Sequence, residues 1–287
     1  MINNNFSEIT PEIVSLAKKS EEAGIIDSSL FTKYDVKRGL RNANGTGVLV
    51  GLTRIGDVVG YDISESGEKV PVDGRLLYRG YDVVDLINDA EKNDQFCFEQ
   101  CAYLLLFGEL PTQKELDSFR NLLGVCRTLP PSFTEDMIMK APSPNIMNKL
   151  ERSVLSLYSY DSNPDDISIE NVLRQSIQLI AQLPMIMSYA YQVKRRHYLK
   201  KSMYLHPVKE GLSTAETVLY TTRSDRKFTD EEAKLLDLCL MLHAEHGGGN
   251  NSAFATRVLT SSGTDTYSAI SAGIGSLKGP RHGGANL

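Results

Sequence analysis

Cysteine is scarce in this chain of 287 residues: Cys97, Cys101, Cys126 and Cys239 are the four it has. So few thiols exclude a disulfide-built scaffold and predict reduced side chains in a cytoplasmic protein. Cys97 and Cys101 stand one helical turn apart, the spacing of two small apolar residues on a buried helix face. Long hydrophobic runs are missing too. The longest, Ala102–Phe107, is far short of the roughly 20 residues a membrane span needs. Residues 1–10 are polar, without the basic and apolar regions of a signal peptide. Positive charge is not in excess: 31 Lys and Arg face 36 Asp and Glu, for a formal charge of -5, so neither nucleic acid nor an anionic membrane is an expected partner. No G-x-G-x-x-G dinucleotide fingerprint and no Gly-x-Ser-x-Gly nucleophile turn occurs. Gly247-Gly248-Gly249 is no phosphate loop, because no Gly-Lys-Ser/Thr follows it.

What is present fits a globular protein, with 41% hydrophobic and 23% charged residues. No repeat, linker or low-complexity tract divides it. Thr10-Pro11-Glu12 predicts a helix start, with Thr as N-cap and Pro at the first position, and Gly24 predicts its stop. Residues 45 to 77 differ: short β-prone pieces over Val48–Thr53, Val58–Ile63 and Arg75–Tyr78, split by glycines, predict a small hairpin region. From Asp82 the period is helical. Val83, Val84 and Leu86 form a stripe; Phe98–Phe107 is a strongly apolar helix ending at Gly108; Pro111-Thr112 opens the next. Further helices are predicted over Met147–Tyr160, Ile167–Ile180, Ser213–Tyr220, Asp230–Leu242 and Thr266–Gly273, with a kink or boundary at Pro184. The fold class is therefore mainly α, one multi-helical domain with a small β region near residues 45–80.

Two segments carry the chemistry. One runs Leu242-His243-Ala244-Glu245-His246-Gly247-Gly248-Gly249-Asn250-Asn251-Ser252; the other is Lys278-Gly279-Pro280-Arg281-His282-Gly283-Gly284-Ala285-Asn286-Leu287. A histidine beside glycine is an acid/base or hydrogen-bonding group that a ligand can approach closely. His243 and His246, three residues apart at the end of a predicted helix, share a face. They could form a metal pair, though a zinc-protease helix spaces its histidines four apart and no third ligand is evident. They could bind an anion, with His246 and the amides of Gly247 to Asn250 as donors. Or His could serve the helix dipole while glycine supplies the stop. His282 sits on a tight turn, either aimed at a reacting group or simply polar. The basic run Lys194-Arg195-Arg196-His197-Tyr198-Leu199-Lys200-Lys201 could meet ligand phosphates, or be a solvated helix end.

Taken together, His-x-x-His-Gly-Gly-Gly-Asn-x-Ser and Gly-Pro-x-His-Gly-Gly-Ala-Asn resemble two site motifs of the citrate synthase family. Gly74-Arg75-Leu76-Leu77-Tyr78-Arg79-Gly80-Tyr81 resembles its early Leu-x-Tyr-Arg-Gly-Tyr signature, and Phe98 to Pro111 the helix that follows. Leu212-Ser213-Thr214-Ala215-Glu216 also fits, and the whole is most similar to a bacterial branch.

The resemblance implies a helical large domain spanning residues 1–287, with an N-terminal helix and hairpin segment over 1–80. It implies a substrate site in which His246 hydrogen-bonds oxaloacetate, Asn250 offers a backbone contact and Ser252 shapes the surroundings. It implies His282 as the catalytic donor to the thioester oxygen of acetyl-CoA. It implies no metal and no tightly bound cofactor, acetyl-CoA serving as co-substrate, and a homodimer. The family's Gly-x-Gly-His motif, its catalytic Asp and its carboxylate-gripping arginines have no match here. The small CoA-binding and catalytic domain is therefore expected to be absent, and the chain alone is expected not to turn over. Rival expectations are a 2-methylcitrate synthase using propionyl-CoA, a non-catalytic helical assembly module, and a zinc protein built on His243 and His246.

Overall fold

Why α1 (Pro11–Gly24) begins where it does is visible at Thr10, whose hydroxyl accepts from the amide of Ile13 while Pro11 occupies a position needing no donor. The structure, a computed structural model, describes residues 7–36 and 52–286. After α1 and the short α2 (Ser29–Lys33) comes a ribbon of β1 (Gly56–Ile63) and β2 (Lys69–Tyr78), antiparallel from Gly56↔Tyr78 to Ile63↔Lys69. Of the three predicted β pieces, the first lies largely outside the described residues, and the third extends back to Lys69. β2 turns into β3 (Tyr81–Asp82) through Arg79 and Gly80, with φ of 50° and 88°. Two left-handed residues match the twist of paired strands. Most of the ribbon is exposed, while its base at Tyr78 is fully buried.

The helices follow in chain order. They are α3 (Val83–Lys92), α4 (Phe98–Phe107), α5 (Gln113–Cys126), a π-helical turn (Thr134–Met139), α6 (Ile146–Leu157), α7 (Ile169–His197), α8 (Thr214–Thr222), α9 (Asp230–Leu242), α10 (Asn251–Thr260) and α11 (Thr266–Lys278). Short 3-10 turns lie at Tyr158–Tyr160 and Gly283–Asn286. α7 is the spine. Its first half packs Leu173 and Ile177 against Ile13, Tyr103, Phe107 and Phe119; its second half packs Met185 and Ile186 against Val154, Leu157 and Tyr267. A third cluster gathers Tyr78, Val83, Leu86, Cys97, Cys101, Leu104 and Met241.

Two sequence expectations need correction here. No boundary falls at Pro184: α7 runs 29 residues through it. Proline removes one backbone donor and crowds the preceding turn, but Met185 and Ile186 are completely buried, and their packing on both sides holds the helix. The stripe of Val83, Val84 and Leu86 loses its middle member, since Val84 is exposed at 58% while Val83 and Leu86 are buried. Successive helical residues point about 100° apart, so adjacent valines cannot both face the core.

The burial expected of the Cys97 and Cys101 pair is found. Cys97 and Cys101 are buried, and burial first, then the neighbouring Asp237 carboxylate, pushes both thiols up, Cys101 to about 12. Asp237, on α9, accepts from the amides of Cys97 at 2.6 Å and Phe98 at 3.2 Å. It therefore caps α4 and fixes α9 to it.

α11 is fixed by a buried polar network. Asp161 accepts from Arg174 Nη2 at 2.6 Å, Tyr267 OH at 2.7 Å, Ser7 Oγ at 2.6 Å and Gln175 Nε2 at 3.0 Å. Burial by itself would raise this carboxyl; the donors from Ser7 and Arg174 more than reverse it, holding it well below the usual carboxylate range.

Candidate active site

The segment with the glycines begins at the end of α9. That helix starts with a capping box, Thr229 and Glu232 each bonding the other's backbone. It ends at Leu242. His243 is its C-cap, and the ring nitrogen Nδ1 donates back to Cys239 O at 2.6 Å. His243 and His246 therefore do not share a helix face as expected: the first is a cap spent on its own helix and the second lies beyond the last turn. Among the described residues no group of three or more His, Cys, Asp or Glu side chains is placed to hold a metal ion.

Past His243 the chain turns sharply. Gly247 has φ of 80°, a conformation that costs a side-chain-bearing residue about 1 kcal/mol or more. Asn250 N donates to Gly247 O at 3.1 Å. Asn250 then serves as N-cap of α10, its Oδ1 accepting from Ser252 N at 2.9 Å and Ala253 N at 3.4 Å. Sequence reading missed this helix; Asn250-Asn251-Ser252 was the signal, since Asn and Ser favour helix starts. With both its amide and its side chain engaged, Asn250 organises the loop. The amides of Gly247, Gly248 and Gly249 donate to no acceptor among the described residues. His246 is exposed, and its ring likewise has no hydrogen-bond partner there. The segment thus presents donors without acceptors, which suits a carboxylate.

His282 arrives from the other segment. The turn after α11 is closed by Gly279 N to Ser276 O at 3.1 Å and His282 N to Gly279 O at 2.9 Å. Its ring meets α10: His282 Nε2 lies 3.0 Å from Ser252 Oγ. The hydroxyl of Ser252 has no other hydrogen-bonding partner among the described residues. With Ser252 as donor the ring proton sits on Nδ1, free to donate elsewhere; with Ser252 as acceptor it sits on Nε2. Close approach of α10 and α11 makes this contact possible. A Cβ on Gly273 would come 2.5 Å from Thr256 Oγ1, so glycine there brings Ser252 within reach of the turn.

The structure therefore joins Ser252 to His282 directly and Asn250 to Ser252 through the α10 cap. It leaves His246 on the adjoining loop, with no hydrogen bond to the pair.

Reading motifs alone also missed Tyr78. It lies within the Gly74–Tyr81 signature, and its hydroxyl reaches the carbonyl of Met241 at 3.0 Å and those of Leu242 and Glu245 at 3.3 Å. The ribbon base adds a second support, because β1 approaches so closely that a Cβ on Gly56 would collide with Glu245. The basic run ends α7, with Lys194, Arg195, Arg196 and His197 in its last turn, where cations oppose the helix dipole.

Size alone does not locate the site. A cavity of about 990 Å³ lies among Glu99, Arg120, Arg127, Leu212 and Glu216, and none of His246, Asn250, Ser252 and His282 lines it. Its charged groups are partly engaged, with Glu99 Oε2 and Arg120 Nε left without a hydrogen-bond partner among the described residues. Arg120 and Arg127 donate to the carbonyls of Phe96 and Leu212, while Glu99 and Glu216 accept from the amides of Thr214 and Ser213 around the start of α8.

The scaffold thus brings two histidine-bearing turns to the start of one short helix. The family model for citrate synthase, C-terminal domain, matches residues 43–287, and the chain belongs to the citrate synthase family. It is 33% identical over 217 residues to a citrate synthase of Haloferax volcanii, covering 74% of this chain and 54% of that one. It is 32% identical over 228 residues to 2-methylcitrate synthase 1 of Corynebacterium glutamicum, covering 78% and 57%. Its fold superimposes on the crystal structure of citrate synthase from Pyrobaculum aerophilum with a TM-score of 0.68 at 29% identity, covering 87% of this chain and 59% of that one. The chain thus spans little more than half the length of these relatives.

Proposed function

We propose that this chain is the large-domain part of an enzyme that condenses acetyl-CoA with oxaloacetate and hydrolyses the product to citrate and CoA. The observation that carries the reading is the Ser252–His282 hydrogen bond, set beside a loop of unpartnered donors. In this reading His246 and the loop amides hold the oxaloacetate dianion. His282 Nδ1–H donates to the thioester oxygen as a carboxylate, supplied by a complementary segment, removes a methyl proton. The enol carbon then attacks the keto carbon of oxaloacetate, whose oxygen takes up a proton, and water releases CoA from the citryl thioester. One preorganised donor at such an oxygen lowers a barrier by roughly 3–4 kcal/mol. The site needs no metal or tightly bound cofactor. Because the carboxylate base is assigned to another segment, the 287-residue chain alone is expected to bind oxaloacetate without turnover.

The test is calorimetric titration of oxaloacetate into this chain and its His246→Ala variant. Binding that weakens at least about tenfold in the variant, the worth of one charge-assisted hydrogen bond, supports the assignment. Equal binding by both refutes it, and a full citrate-forming rate from the chain alone refutes the division of labour.

A second reading, propionyl-CoA as donor to give 2-methylcitrate, is favoured by the Corynebacterium relative, which stands at almost the same identity as the Haloferax one. The ratio of kcat/KM for the two thioesters, measured on the enzyme completed with its catalytic segment, decides between them. We also propose a homodimer, supported by the exposed Leu155, Ile169 and Tyr191 on α6 and α7.

A further inference from the structure

We infer that Tyr78 is a positioning residue for the oxaloacetate site, acting through the peptide that joins Glu245 to His246. The inference rests on the reading of His246 as a substrate-binding residue. Tyr78 is fully buried at the base of the ribbon, yet its hydroxyl meets backbone from both sides of the α9 terminus. Ala244 N already serves Met241 O. The carbonyls of Leu242 and Glu245 have no partner among the described residues except this hydroxyl, which also lies 3.4 Å from the amide of Glu245. Its one proton is shared among three carbonyls within reach, Met241 O at 3.0 Å and those of Leu242 and Glu245 at 3.3 Å.

The consequence for His246 follows from peptide geometry. The Glu245 carbonyl and the His246 amide belong to one planar unit, and no cis peptide occurs among the described residues. In a trans peptide C=O and N–H point in opposite directions. Holding the Glu245 carbonyl inward on Tyr78 therefore turns the His246 N–H away from the core. That N–H makes no hydrogen bond among the described residues. It joins the amides of Gly247, Gly248 and Gly249 and the His246 ring as one more donor for a carboxylate, and Tyr78 sets its direction. Burial pushes the Tyr78 hydroxyl up to about 12, so it keeps its proton in neutral solution.

The bland alternative is that Tyr78 merely fills the core and caps a helix. Two variants of the full chain separate these. Tyr78→Phe keeps the ring and removes the hydroxyl. Val83→Ala loosens the same apolar cluster without touching the loop. For Tyr78→Phe we expect oxaloacetate affinity to fall about tenfold, the loss of one hydrogen bond's worth of orientation, and the amide NMR signal of His246 to shift and broaden. For Val83→Ala we expect a lower Tm with wild-type affinity and an unchanged His246 signal. Wild-type affinity or an unmoved His246 signal in Tyr78→Phe overturns the inference alone. Failure of the wild-type chain to bind oxaloacetate overturns the functional reading, and the inference with it. Should Tyr78→Phe fail to fold, the wild-type His246 amide signal provides the second measurement, and no shift of it during titration with oxaloacetate counts against positioning through this peptide.

Discussion

Ser252 and His282 illustrate what a residue means once its partner is known. As letters, a serine after two asparagines and a histidine before two glycines are ordinary loop residues. In the fold a 3.0 Å contact pairs them, and with Ser252 as donor the His282 proton sits on Nδ1. Ser252→Ala removes the donor that fixes this tautomer. We predict that nitrogen chemical shifts of the His282 ring then move toward the average of the two neutral tautomers, while far-UV circular dichroism stays unchanged. Shifts identical to the wild type mean that Ser252 does not set the tautomer. Both residues, with His246 and Asn250, were legible as motif members. The partners of His243 and Asn250 were not, because a ring turned back on its own helix and a side chain capping the next one depend on where helices end. Spacing in a sequence places those ends only to within a residue or two.

At the scale of elements, α9 is fixed at both ends by local chemistry. The Thr229 capping box starts it and Tyr78 holds its finish. Thr229→Ala is predicted to cost about 1 kcal/mol, read from urea unfolding, with unchanged oxaloacetate affinity because the loop is held from the far end. A loss of affinity greater than tenfold would show that helix and loop move together. Helices announced by caps and amphipathic stripes were legible to within a few residues: α1, α4, α5 and α9 start where Thr10, Phe98, Thr112 and Asp230 indicate. α10 was not, although Phe254, Val258 and Leu259 stand at helical spacing, because they follow directly on the loop-like Gly247-Gly248-Gly249-Asn250-Asn251. The continuity of α7 through Pro184 was illegible for the opposite reason. Proline's local cost is written in the sequence, but the compensating burial of Met185 and Ile186 comes from α6 and α11.

Across the whole molecule, the Asp161 network links the segment before α1, the start of α7 and the start of α11, and so holds the scaffold that carries the His282 turn. Ser7, Arg174, Gln175 and Tyr267 all converge on one carboxylate. Asp161→Asn removes the carboxylate on which this buried network converges, and we predict a loss of about 3–5 kcal/mol in urea unfolding. The acid limb follows from the direction of its shift. A carboxyl held below its unfolded value near 3.9 contributes fully above that pH, and the contribution is lost as pH falls toward the folded value. Wild-type stability should therefore drop on acidification below about pH 4 more steeply than that of Asp161→Asn. Parallel acid limbs would show that the network does not govern acid stability. Light scattering on the purified chain should give the mass of two copies; a monomer at high concentration would contradict the proposed association of α6 and α7.

The central claim is that the loop after α9 and the Ser252–His282 pair form one substrate site. Amide and imidazole NMR signals of the chain, followed during titration with oxaloacetate, test it most directly. The account predicts that shifts concentrate on His246 and Gly247 to Gly249 and extend to Ser252 and His282. Shifts centred instead on Glu99, Arg120 and Arg127, with the glycine loop silent, would contradict it.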